Sequence, residues 1–115
     1  MKKALRLKKN EDFQVMFQKG RSMANRQFVL YYLKKDDEIS FRVGLSVSKK
    51  LGNAVTRNRI KRMIRRFFQE HKDMLPTGYD YLVIARKPVA DMNYSEAERS
   101  LGHVLYKADL TNKLL

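Results

Sequence analysis

Residues 39–68 read ISFRVGLSVSKKLGNAVTRNRIKRMIRRFF, and three patterns follow one another within them. From Ile39 to Ser48 the chain alternates. Ile39, Phe41, Val43, Leu45 and Val47 point one way, and Ser40, Arg42, Gly44, Ser46 and Ser48 the other. A period of two built on aromatic and β-branched residues predicts a strand with one apolar face. Lys49 to Asn53, with Gly52, then makes a basic loop, and Asn53 or Thr56 can cap a helix by accepting from its first free N–H groups. Beyond the cap, Ile60, Met63, Ile64, Phe67 and Phe68 share one arc, while Arg57, Asn58, Lys61, Arg62, Arg65 and Arg66 spread over the rest. This predicts an amphipathic helix to about Lys72 whose apolar stripe packs on a sheet.

Towards the N-terminus, Gln27 to Leu33 reads as a strand that is apolar on both faces, and Lys34 to Glu38 as a polar turn. The two strands together predict a hairpin. Before them, Asn10 suits an N-cap, Glu11 and Asp12 suit a first turn, and Phe13, Met16 and Phe17 recur at helical spacing up to Gly20, a candidate stop. Towards the C-terminus, Pro76 to Gly78 breaks the chain, Tyr79 to Arg86 reads as a strand, and Pro88 begins a second break. From Tyr94 a last helix places Ala97, Leu101, Val104, Leu105 and Ala108 on one stripe. The order α, β-hairpin, α, β, α predicts a single α+β or split βαβ domain over residues 1–115, with helices covering one side of a small sheet. The basic segment 1–9 is expected to be mobile.

The chain of 115 residues carries 25 Lys+Arg against 12 Asp+Glu, a net charge of +13. The excess sits in two places. Residues 1–9 hold five cations and no acid, residues 49–66 hold eight and no acid, and the remainder is neutral. Surface charge that serves solubility is spread out; a concentrated excess is the footprint of a polyanion partner. Nucleic acid fits best, ahead of an anionic membrane or an acidic protein. Cysteine is absent, which excludes disulfide frameworks, thiolate zinc sites and cysteine nucleophiles. The longest apolar run, Phe28 to Leu33, is far short of the roughly 20 residues of a membrane span, and no hydrophobic segment follows the basic N-terminus as a secretory signal would require. The expectation is a soluble cytoplasmic protein.

Guanidinium groups bind phosphate bidentately, and a helix N-terminus adds oriented N–H donors, so Lys49 to Arg59 is a natural phosphate cradle. A DNA-binding helix-turn-helix needs a partner helix a short turn upstream. Here a strand and a loop precede the basic helix, and the sheet offers rings on which unpaired bases can stack. RNA is therefore favoured over DNA. Phe13 and Phe17 on spacing alone are core residues. His71 and His103 have no neighbour in sequence at metal or general-acid spacing, and Asp36, Asp37 and Glu38 read as a charged turn rather than a cation site.

The segment Lys49-Lys50-Leu51-Gly52-Asn53-Ala54-Val55-Thr56-Arg57-Asn58-Arg59-Ile60-Lys61-Arg62 closely resembles the signature of the bacterial ribonuclease P protein subunit. The resemblance extends to Asn10-Glu11-Asp12-Phe13, Asn25-Arg26-Gln27-Phe28-Val29-Leu30-Tyr31, Arg42-Val43-Gly44-Leu45-Ser46-Val47-Ser48 and Ile84-Ala85-Arg86-Lys87-Pro88. It implies a small, mostly antiparallel sheet with three helices and a left-handed βαβ crossover, the ribosomal protein S5 domain 2-like fold, against the usual right-handed rule. It also implies that an RNA subunit is the catalyst, removing the 5′ leader of precursor tRNA with Mg²⁺ held mainly by RNA. By position, the resemblance assigns Lys49, Lys50, Asn53, Arg57, Asn58, Arg59, Lys61, Arg62, Arg65 and Arg66 to the RNA subunit. It assigns Phe13, Phe17, Tyr31, Ser46, Ser48, Lys61 and Arg65 to the leader, in a cleft between sheet and first helix. It assigns no catalytic and no metal-binding residue to the protein. Only Lys113 is basic in the tail after Ala108, too little charge to predict an RNA contact there.

The alternative readings are a ribosomal or RNA-chaperone domain, and a protein nuclease. Partnership with one structured RNA separates the first from the family reading. The nuclease lacks a constellation of carboxylates and histidines. RNA-free protein is accordingly expected to leave precursor tRNA intact, and cleavage at the mature 5′ junction by protein alone in a gel assay is the contrary result.

Overall fold

The apolar run Tyr81-Leu82-Val83-Ile84-Ala85 has no polar face to turn to water, so its strand belongs inside a sheet covered on both sides. The computed structural model describes residues 10–35 and 41–111 and places that run centrally. The basic segment 1–9, the turn acids Asp36 to Glu38 and Lys113 lie outside the described residues. The elements are α1 (Asn10–Lys19), β1 (Arg21–Ala24), β2 (Phe28–Lys34), β3 (Arg42–Ser46), α2 (Ala54–Glu70), β4 (Tyr79–Ala85) and α3 (Tyr94–Lys107). The sheet order is β1-β2-β4-β3, with β4 antiparallel to β2 and parallel to β3. The three-helix α+β architecture with a mostly antiparallel sheet agrees with the expectation, and β3-α2-β4 is the βαβ unit.

Two features of the sequence reading are corrected. β2 and β3 do not form a hairpin, because β4 lies between them. Both β2 and β4 are apolar on both faces and take the centre, while β3, with Gly44 and Ser46 on one side, suits an edge. The real hairpin is β1–β2, pairing Ala24 with Val29 and Arg21 with Tyr32. Asn25 closes it: its Oδ1 accepts from the N–H groups of Gln27 (3.0 Å) and Phe28 (2.8 Å), and its Nδ2 donates to the Ser100 carbonyl of α3 at 2.9 Å.

The helices also do not share one side. Ile60, Met63, Ile64, Phe67 and Phe68 of α2 and Ala97, Leu101, Val104 and Leu105 of α3 are buried with Phe28, Leu30, Val43, Tyr81 and Val83, forming the main core. Both helical stripes are those read from the spacing. On the opposite face, Met16 of α1 and Leu82 of β4 form a smaller cluster with Phe13, Tyr31, Leu33 and Ile84. Gly20 follows the last residue of α1, as expected of a stop, and close approach rather than a left-handed φ requires a glycine there. A Cβ there would lie 2.6 Å from the Met16 carbonyl oxygen and 3.2 Å from that of Tyr32.

Two arginines fix the frame. Arg42 of β3 holds the buried Asp80 of β4 bidentately, Nε to Oδ1 at 3.0 Å and Nη2 to Oδ2 at 2.8 Å, so the carboxylate is paired rather than stranded. Arg59 of α2 donates from Nη1 to the Met92 carbonyl at 2.8 Å and from Nη2 to that of Ala90, pinning α2 to the Lys87–Asp91 turn that leads into α3. Replacing Arg59 by Ala should cost about 2 kcal/mol, since it removes two charge-assisted hydrogen bonds to backbone acceptors. Replacing the exposed Arg62 should stay within about 0.5 kcal/mol. Urea unfolding midpoints of the two variants check the contrast.

Candidate nucleic-acid interface

The basic surface is built where β3 ends. Ser48 leads into the one-turn helix Lys49–Leu51, which buries only Leu51 and leaves Lys49 and Lys50 exposed. Gly52 follows at φ +145°, a conformation that disfavours an L side chain, and its Cβ would meet Thr56 Cβ at 3.0 Å. Asn53 then caps α2, its Oδ1 accepting from the Thr56 N–H at 3.0 Å. Two lysines thus precede the positive end of a 17-residue helix that has no acid in its first turn.

Along α2 the predicted interface residues divide. Asn58 and Arg62 are exposed, and Arg57, Lys61 and Arg65 are half-buried. Arg57 carries a buried Nε with no hydrogen-bond partner among the described residues. Arg59 is committed to the backbone, as above. Arg66 pairs with Glu70 (Nε to Oε2, 3.0 Å) and stacks its guanidinium 3.8 Å from the centre of the Tyr94 ring. These two arginines therefore have structural work as well as charge, which helical-wheel reasoning cannot distinguish. Val55, in the first turn, is an exposed apolar residue that the sequence reading did not single out.

The predicted ring residues meet on the α1 face of the sheet. Phe17 is half exposed, at 50%, and packs edge-on to Tyr31 with centroids 5.0 Å apart and planes at 86°. Phe13 is partly buried against the Met16–Leu82 cluster. Ser46 pairs with Ile84 in the parallel ladder, which puts it on this same face at the β3 edge. Ser48 is off the strand and exposed. One face of the sheet thus carries the main core under two helices, and the other is only partly covered by α1.

His71 is not isolated. Its Nε2 lies 2.7 Å from Glu98 Oε2, a contact across 27 residues that sequence spacing does not reveal. With Glu70 it forms a group whose ligand atoms lie within 4.8 Å of one another. Glu70 is already engaged by Arg66 and by the Tyr94 hydroxyl, which donates to Oε1 at 2.8 Å. That hydrogen bond, then Arg66, holds the Glu70 carboxyl below the usual carboxylate range. Burial, then the bond to Glu70, pushes the Tyr94 hydroxyl up. The network ties the end of α2 to α3.

No described helix is long and apolar enough to cross a membrane. The family described as Ribonuclease P matches residues 1–109. A "Ribonuclease P protein component" from Bacillus cereus (strain Q1) is 57% identical over 110 residues, 96% of each chain. The solved Staphylococcus aureus RNase P protein superimposes with a TM-score of 0.88 at 52% identity, covering 96% of this chain and all of that one. The Thermotoga maritima RNase P protein does so at 0.80 and 32%, covering 89% of this chain and 96% of its own. With its sheet order, its basic helix and a family match over residues 1–109, this chain belongs to the ribonuclease P protein family, the protein part of a tRNA-processing ribonucleoprotein.

Proposed function

We propose that the chain binds the catalytic RNA of ribonuclease P through the Lys49–Arg66 surface and holds the 5′ leader of precursor tRNA on the α1 face of the sheet. The observation that carries this is the Phe17–Tyr31 pair, two rings left half-covered on the sheet face away from the main core. Unpaired bases stack on such rings, whereas a mature tRNA brings no leader to them. Lys49, Lys50, Arg57, Asn58, Lys61, Arg62 and Arg65 supply the phosphate contacts, with Asn53 shaping the helix start. Arg59 and Arg66 contribute their charge from anchored positions.

The chain's chemistry in this reading is binding and positioning. Mg²⁺ prefers a nearly octahedral set of oxygens. Glu70, His71 and Glu98 offer an imidazole and carboxylates already bonded to one another, Arg66 and Tyr94, which fits Mg²⁺ poorly. The reading therefore leaves Mg²⁺ and the hydrolytic step with the RNA, and the protein's residues orient the leader strand and neutralise phosphates.

Replacing Arg57, Arg62 and Arg65 with Ala should weaken binding to the RNA subunit and flatten its salt dependence, the log K against log salt slope falling by roughly 0.7–0.9 for each phosphate no longer neutralised. Unchanged affinity and slope in a filter-binding titration would mark the basic arc as a solvated face. The rings should behave differently. Phe17→Leu and Tyr31→Leu keep apolar volume but remove the π face, worth about 1–3 kcal/mol per stacked base. Their holoenzymes should lose affinity for precursor tRNA while binding mature tRNA as the wild type does; an equal fall for both substrates contradicts the leader assignment.

A further inference from the structure

His71 ends α2, and its imidazole is held from two sides. Its ring centre lies 4.7 Å from that of the buried Phe67, one turn earlier, and its Nε2 lies 2.7 Å from Glu98 Oε2 of α3. Glu70, the last residue of α2, brings a second carboxylate. The donor atoms of Glu70, His71 and Glu98 all lie within 4.8 Å of one another, and among the described residues this is the one such group of three. The side chains of His71 and Glu98 are 19% and 30% exposed, so the two helices wall the group, while Glu70, at 45%, opens it to solvent.

This donor set is not that of an ordinary acidic patch. One imidazole nitrogen and two carboxylate oxygens are the ligands of a three-residue zinc site, which keeps its fourth position for water. Zn–N and Zn–O bonds of about 2.0–2.1 Å set tetrahedral donors about 3.3 Å apart. The separations here run from 2.7 Å to at most 4.8 Å and bracket that distance. The other bonds in the group orient the ligands and leave them free to bind. The Tyr94 hydroxyl donates to Glu70 Oε1 at 2.8 Å and Arg66 Nε to Oε2 at 3.0 Å. Each oxygen keeps a further lone pair, and hydrogen bonds of this kind fix metal-binding carboxylates in place. They also hold the Glu70 carboxyl in its ionised form. The negative end of the 17-residue α2 favours a cation here, and with two carboxylates it outweighs the Arg66 guanidinium. Mg²⁺ gains little from an imidazole; a borderline metal that accepts nitrogen gains directly.

We infer that Glu70, His71 and Glu98 form a zinc site that clamps the end of α2 to α3, with Tyr94 and Arg66 orienting Glu70 and a water in the fourth position. On binding, the hydrogen bond between His71 Nε2 and Glu98 gives way to a bond from each to the metal, and the ring keeps its proton on Nδ1. The site lies at the far end of α2 from the Lys49–Asn53 loop and does not depend on the leader reading.

The test titrates the metal-free full chain with Zn²⁺ in excess Mg²⁺, by calorimetry and by thermal unfolding. Wild type should bind a single Zn²⁺, and its Tm should rise by about 10 °C when free Zn²⁺ stands about a hundredfold above Kd. His71→Gln and Glu98→Gln keep hydrogen-bonding side chains of similar length. Each should weaken binding by more than about a hundredfold, beyond the loss of an orienting partner, and abolish the rise. Tyr94→Phe keeps the ring beside Arg66, removes the hydroxyl from Glu70 and should cost about tenfold. His103→Gln, on the outer side of α3, should bind as wild type does. Co²⁺ in place of Zn²⁺ should give the intense visible bands of a tetrahedral centre, lost in His71→Gln. Absence of stoichiometric binding overturns the site, as does loss of binding in His103→Gln. A glutamine variant that is less stable but keeps the full zinc-dependent rise also overturns it and leaves the network a hydrogen-bonded helix contact only.

Discussion

β4 has to be covered on both faces, and the rest of the molecule is arranged around that demand. Tyr81 and Val83 point into the layer made by α2 and α3, while Leu82 is fully buried on the other side. The 17-residue α2 and 14-residue α3 bury the centre of their side, leaving Met23, Tyr32 and Tyr79 partly covered at its margin. On the other side stands α1, ten residues long, which buries Met16 but leaves Phe17 half in solvent. A helix that short seals the middle of the face and exposes rings and small polar residues along its margin. The face proposed to meet the leader follows from incomplete coverage of a sheet whose other side carries most of the core.

The basic helix shows how a fold tolerates a charge distribution it does not need. Like charges at i, i+4 such as Arg57–Lys61–Arg65 weaken a helix by a few tenths of a kcal/mol per pair. Burial of five large apolar residues on the opposite stripe outweighs that, at about 1.5–3 kcal/mol per side chain. Two of the arginines are moreover put to use, Arg59 against the carbonyls of Ala90 and Met92, and Arg66 over Tyr94 with Glu70. The helix is consequently held at both ends, near its start by Arg59 and near its end by the Arg66–Glu70–Tyr94 and His71–Glu98 contacts. A positively charged surface of fixed orientation is what binding to a structured polyanion requires.

What could be read from the chain depended on whether the signal was local. The α2 stripe, its Asn53 cap and the α3 stripe are local patterns, and each lies where the spacing put it. Strand alternation at Ile39–Ser48 gives the correct face for Phe41 and Val43 but does not name the neighbouring strand, and β4 lies between the two strands that adjacency in sequence suggests as a hairpin. β1 escaped notice because Arg21-Ser22-Met23-Ala24 is mostly exposed and has one large apolar side chain to signal with. Arg59 resembled its neighbours because the carbonyls it serves lie more than 30 residues away, and Glu98 was invisible to His71 for the same reason. Phe13, Phe17 and Tyr31 came from resemblance rather than from spacing, which assigned the two phenylalanines to the core.

The account divides the sheet into a face that folds and a face that meets the leader, and photo-crosslinking tests that division most directly. A precursor tRNA with a photoreactive uridine in its leader is bound to reconstituted holoenzyme, irradiated, and the protein adduct mapped by mass spectrometry. The account predicts adducts on the α1 face, at Phe13, Phe17 or Tyr31. Adducts concentrated on the outer side of α3, at exposed residues such as Arg99 and His103, would contradict it.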